Sequence, residues 1–189
     1  MKKYELTAEF IEKWGKKLFR IKALISFGNV EAGELGGYVE KEDNLAQDDN
    51  AWVHGNARVF GNARVCDDAW VYGDAEVYGD AWVYGNAEVF GNARVCGDAK
   101  VCGDADYLLI GRIGSRFSFT TFFKNKDKGI TVSCGCFLGT IAEFRAKVSD
   151  THGNNKHAKI YNLAADMAEL QILGEEHFEN LNTNKSEPF

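Results

Sequence analysis

From residue 51 to residue 105 alanine returns every six positions without a miss, at Ala51, Ala57, Ala63, Ala69, Ala75, Ala81, Ala87, Ala93, Ala99 and Ala105. Valine keeps the same step at Val53, Val59, Val65, Val71, Val77, Val83, Val89, Val95 and Val101. A strict six-residue period of one small and one β-branched residue is the signature of a parallel β-helix. Within each hexad valine fills the interior, alanine lets the chain turn close to the axis, and Gly followed by Asp or Asn supplies the corner. Three such corners close one triangular coil, so each residue should lie over the residue 18 positions on, at the ~4.8 Å strand spacing. Leu45 and Val39 continue the alanine phase backwards, which suggests one imperfect coil ahead of the regular ones.

The 18-residue step turns the variable positions into columns. Arg58, Glu76 and Arg94 alternate in sign. Arg64, Trp82 and Lys100 place an indole between two cations, an arrangement worth ~0.5–1 kcal/mol per exposed contact. His54, Tyr72 and Phe90 should stack, as should Phe60, Tyr78 and Cys96, and Cys66, Tyr84 and Cys102. Trp52, Trp70, Glu88 and Asp106 form another column. Asn56, Asp74 and Asn92 line a corner, where side chains hydrogen-bond along the rod. The columns explain the variable positions as self-packing. Outward aromatic residues exceed what a solvated face requires, which favours a homo-oligomer, a trimer, or flanking segments folded over that face.

Val53 to Ala57 and Val71 to Ala75 fit the aliphatic-to-small spacing of the hexapeptide-repeat proteins, which the rod resembles, and the resemblance implies a left-handed β-helix. KYELT, FRIKAL, GELGGYVE and NLAQDDNAWV ahead of the repeats sharpen it. Residues 1 to about 105 look like a group of hexapeptide-repeat proteins of phages, prophages and gut bacteria, labelled hexapeptide transferase-like or polymer-forming. That resemblance implies the fold and a phage or prophage setting, hence the cytoplasm of a host cell, and brings no established reaction.

Charge separates the chain into regions. Residues 1–30 carry 7 basic and 3 acidic groups, residues 31–106 carry 5 and 16, and residues 107–189 carry 10 and 9. The acidity is thus concentrated on the rod, which repels nucleic acid and suits a basic partner surface. No apolar run is long enough for a signal peptide or a membrane span. Five cysteines (Cys66, Cys96, Cys102, Cys134, Cys136) without a secretion signal read as reduced thiols.

Before the rod, 19–25 alternates as a strand, and Gly33, Gly36 and Gly37 lack the spacing of a phosphate-binding loop. They read instead as a turn capping the open end of the coil. After the rod the period breaks, and 107–113, 117–123 and 130–136 read as three strands. Thr140 to Glu143 is a capping box opening a helix that buries Ile141, Phe144 and Val148. A loop over 151–155 leads to a second helix over 156–173, whose core stripe is Ile160, Leu163/Ala164, Met167 and Leu170. The expected fold is therefore mainly β: a 1–38 cap, a 39–106 β-helix rod, a 107–174 α+β domain of three strands and two helices, and a frayed tail over 175–189.

Three sets of residues carry candidate chemistry. His54 is the single histidine of the rod, and in hexapeptide acyltransferases a coil histidine acts as general base in CoA-dependent acyl transfer. No insertion interrupts the hexads to shape an acceptor pocket, however. Cys134, Cys136, His152 and His157 loosely echo a Cys2His2 zinc arrangement, although Cys134 and Cys136 are one residue closer than usual. Arg112, Arg116, Lys124, Lys126 and Lys128 sit among Phe117, Phe119, Phe122 and Phe123, a mix that suits phosphate, nucleotide or single-stranded nucleic acid. The favoured reading is a non-enzymatic scaffold without a cofactor that engages a protein partner. The phage-like resemblance points to an inhibitor of a host defence system. Acyl transfer through His54 and nucleotide binding through 112–128 are the alternatives.

Overall fold

A computed structural model describes residues 2–175, and the expected tail, Glu175 apart, lies outside them. The described chain forms two compact units, divided between Asp104 and Ala105. No described helix is long and apolar enough to cross a membrane.

The first unit is the β-solenoid. It begins with an antiparallel hairpin, β1 (Tyr4–Lys13) and β2 (Lys16–Ala23), followed by β3 (Leu35–Val39). Two-residue strands then repeat every six residues. They are β4 (Trp52–Val53), β5 (Arg58–Val59), β6 (Arg64–Val65), β7 (Trp70–Val71), β8 (Glu76–Val77), β9 (Trp82–Val83), β10 (Glu88–Val89), β11 (Arg94–Val95) and β12 (Lys100–Val101). They stack in parallel as β4-β7-β10, β6-β9-β12 and β5-β8-β11, each strand pairing with the one 18 residues on. Every repeat alanine from Ala51 to Ala99 and every repeat valine is fully buried. Ala105 is exposed and starts the second unit.

The first coil departs from expectation. Val39 pairs with Val59, and Leu45 bridges Val65, a step of twenty residues in each case. Both therefore occupy the valine column rather than the alanine phase. Two extra residues enter the corner between Leu45 and Ala51, where Asp49 takes a positive φ of 56°. That enlarged corner is held from outside. Lys3 donates through Nζ to the carbonyl oxygens of Asp48, Asp49 and Ala51 at 3.0, 3.3 and 2.9 Å, and the Tyr4 hydroxyl donates to Glu42 and Leu45.

Gly36 and Gly37 do not form a turn. They lie inside β3, where a Cβ on Gly36 would come within 2.6 Å of the Val53 carbonyl oxygen and 2.5 Å of Ile21. Glycine is required there because β3 presses flat against the next coil. In the sheet order β1-β2-β3-β5-β8-β11 the hairpin extends one solenoid face, and β1, absent from the sequence-based expectation, takes the edge.

The columns form largely as the 18-residue step implies. Phe60 and Tyr78 stack at 5.1 Å and Tyr72 and Phe90 at 5.4 Å, while Trp82 lies 3.8 Å from the Lys100 ammonium. Glu76, almost fully buried, faces Arg58 at 3.3 Å and Arg94 at 3.7 Å. It also meets Lys13 of the hairpin at 2.7 Å, a partner the column alone does not reveal. Trp14 at the hairpin tip packs edge-on against Phe60 and Tyr78. The flank thus packs over this aromatic column.

The second unit pairs β13 (Tyr107–Ile113), β14 (Ser118–Lys124), β15 (Ile130–Cys134) and β16 (Phe137–Thr140) in one antiparallel sheet. The expected three strands are four, because a tight turn at Gly135, with φ of 61°, ends the third at Cys134 and returns the chain as β16 beyond it. Helix α1 (Ile141–His152) opens on the expected box: the Thr140 hydroxyl accepts from the Glu143 amide, and the Glu143 carboxylate accepts from the Thr140 amide at 2.8 Å. Thr151 and His152 close this helix rather than lying in the loop.

Helix α2 (Lys156–Leu173) corrects the expected stripe. Its buried face is Ala158, Tyr161, Ala164, Ala165, Ala168, Glu169 and Ile172. Ile160, Leu163, Met167 and Leu170 are exposed on the opposite side. Small residues bring the helix close to the sheet, and Glu169 is held there by Arg145 at 2.6 Å.

The Glu143 carboxylate is held below its ordinary pKa by its hydrogen bonds from the Thr140 backbone and side chain. A group depressed in the folded state contributes stability above its unfolded pKa and loses it as pH falls through the folded value. The Thr140 amide resonance should therefore titrate with a midpoint below the ordinary carboxylate range. A midpoint at or above that range would show that the box does not form.

Candidate functional site

An open hollow of about 470 Å³ on the solenoid unit is lined by Asn29, Glu34, His54, Trp70, Tyr72 and Glu88. Its floor comes from the repeat: Glu88 pairs with Trp70 in the parallel register, and His54 and Tyr72 follow Val53 and Val71 at the same corner one coil apart. Its rim comes from the segment between β2 and β3. The Phe27–Val30 bridge presents Asn29, and a turn in which the Glu34 amide donates to the Glu31 carbonyl at 3.0 Å presents Glu34.

His54 departs from its expected stack. Its Nε2 lies 3.5 Å from Glu34 Oε1, while the other two members of the column, Tyr72 and Phe90, stack as expected. The Tyr72 hydroxyl donates to Glu88 Oε2 at 2.9 Å, and the Glu88 amide donates to Asp104 at 2.9 Å. Burial, then the Glu88 carboxylate that accepts its hydrogen bond, raise the Tyr72 pKa. Among the described residues the lining holds two carboxylates, an indole and a phenol, with no lysine or arginine. Such a set attracts a cation, electrostatically through the carboxylates and through the aromatic faces. Only His54 was visible as a candidate from sequence. The 18-residue step sets Trp70 and Glu88 in one column but does not mark it as a site, and the place of Glu34 depends on the path of the first coil.

The five basic candidates of the second unit do not converge. Arg112 near the end of β13 and Arg116 in the turn that follows lie at one end of β14, whereas Lys124, Lys126 and Lys128 lie at the other end of that seven-residue strand, ~20 Å away at strand rise. Lys124 is paired with Asp106 at 2.8 Å. The turn that carries Lys126 and Lys128 closes on Asn125, whose Oδ1 accepts from the Asp127 and Gly129 amides. Phe122 and Phe123 are fully buried, and Phe117 is exposed.

The four metal-ligand candidates are also dispersed in role. Cys134 accepts from the Thr120 hydroxyl at 3.2 Å, and Cys136 is exposed. His152 stacks on Tyr161, and the His157 ring lies 5.8 Å from that of His152. Among the described residues no three His, Cys, Asp or Glu side chains are grouped to hold a metal ion.

Residues 57–73 match the YdcK Beta solenoid repeat. The match lies within the regular coils and is a likeness of the repeat unit. No curated protein matches the chain.

Proposed function

We propose that the protein is a non-enzymatic binding scaffold that holds a cationic side chain of a protein partner in the His54 hollow. The observation that carries this reading is the lining itself: Glu34 and Glu88 beside the Trp70 and Tyr72 rings, with His54 the one basic side chain among the described residues that line it. The acidity of residues 31–106 supports it, because such a field draws a basic surface toward the rod. The resemblance of residues 1–105 to phage and prophage hexapeptide-repeat proteins supports a host-cell partner in the cytoplasm, and blocking a defence protein is the form of action that setting favours.

Titration calorimetry with an Arg/Lys-rich peptide tests the hollow. Wild-type protein should bind, and the double variant Glu34→Gln/Glu88→Gln should bind ~10–100-fold more weakly, at ~1.5–3 kcal/mol per charged hydrogen bond with allowance for exposure. Equal affinity of the two proteins, or no binding by wild type, would sink the reading. A second reading, acyl transfer with His54 as general base, is favoured by the Glu34 carboxylate 3.5 Å from the imidazole. It requires an acetyl-CoA-dependent activity that His54→Asn removes.

A further inference from the structure

The large apolar residues of α2 that face solvent are Ile160, Leu163, Met167 and Leu170, from 38% to 63% exposed. Their spacing of three, four and three residues is that of a coiled-coil seam. We infer that this seam is the docking surface for a second copy of the chain, packed antiparallel so that α2 lies against α2.

Two properties of the helix select this occupant. The seam is self-complementary: about a twofold axis at position 165, Ile160 of one copy meets Leu170 of the other, and Leu163 meets Met167, so all four residues find apolar partners. A closed pair of this kind is isologous and leaves no seam residue over.

The charges of α2 also run against its own dipole. Its first turn holds Lys156 and Lys159 and no acidic residue, and its last turn holds no basic residue. A basic first turn beside the positive helix end is unfavourable in an isolated helix. In the antiparallel pair each basic first turn lies beside the negative end of the other helix, where Glu175 follows, and the conflict becomes attraction at both ends. A parallel pair would set lysine against lysine.

One helix seam presents less than the ~800 Å² per partner of a standard interface, so monomer and dimer should exchange in the micromolar range. Sedimentation of the full chain over a concentration series tests the proposal. Wild type should shift from monomer to dimer, and Leu163→Glu/Met167→Glu should remain monomeric with an unchanged helical circular-dichroism signal, since both side chains are exposed. Lys156→Glu/Lys159→Glu should weaken the dimer at least ~10-fold, and adding Glu175→Lys should restore it. A wild-type chain that stays monomeric at several hundred micromolar overturns the proposal and assigns the seam to another occupant. An oligomer that survives Leu163→Glu/Met167→Glu overturns it too, and failure of Glu175→Lys to rescue overturns the antiparallel register.

Discussion

Lys3→Met should lower the unfolding free energy by about 2–4 kcal/mol at pH 7, measured by urea denaturation. The side chain is 2% exposed, and its ammonium fills the corner created by the two extra residues of the first coil. Methionine fits that space but leaves the carbonyl oxygens of Asp48, Asp49 and Ala51 without their donor. Part of that loss is offset, because the substitution also removes a buried charge. Burial pulls the Lys3 pKa from 10.5 down to about 8, against the Asp48 and Asp49 carboxylates. Between about pH 8 and 10.5 the unfolded chain therefore holds a proton that the folded chain has released, and stability rises with pH across that window. The advantage of wild type over Lys3→Met should accordingly be larger at pH 9.5 than at pH 7. A difference that shrinks instead would show that the three carbonyl contacts depend on the charged form.

The rod was legible because its signal is redundant: every hexad repeats the same interior pair, and a period of six admits one stacking step of eighteen. Where the redundancy ends, legibility ends. The two extra residues before Ala51 leave Leu45 and Val39 in step with the alanines along the chain, yet in space they join the valines, because the enlarged corner resets the phase. Glu34 reaches His54 only through that path, so the hollow could not be assembled from spacing. Helix α2 failed for a different reason. Its two apolar stripes have the same helical period, and residue size argues for burying Ile160, Leu163, Met167 and Leu170. Close approach to the sheet selects Ala158, Ala165 and Ala168 instead, together with Ala164, the one member of the expected stripe that is buried. The capping box at Thr140 was readable because both of its hydrogen bonds are local.

Trp52→Ala should destabilise the solenoid unit by ~3–5 kcal/mol, the range for removing a fully buried aromatic side chain. Trp52 has no exposed surface and packs edge-on against Tyr4 at 6.3 Å and Phe27 at 5.4 Å. Alanine would leave a cavity between the first regular coil and the segment carrying Asn29 and Glu34, so the rim of the hollow should loosen with the core. Trp52→Phe separates size from polarity. The indole Nε1 is buried without a hydrogen-bond partner, so phenylalanine gives up no hydrogen bond and should cost less than half as much. Phe27 ties this prediction to Lys3, whose ammonium lies 4.9 Å from the same ring. Residues that share a neighbour couple by ~0.5–3 kcal/mol, so Lys3→Met/Trp52→Ala should lose less than the two single variants added together. Strict additivity would mean that Phe27 keeps its place when either partner is gone, and that the corner and the core beneath it are held independently.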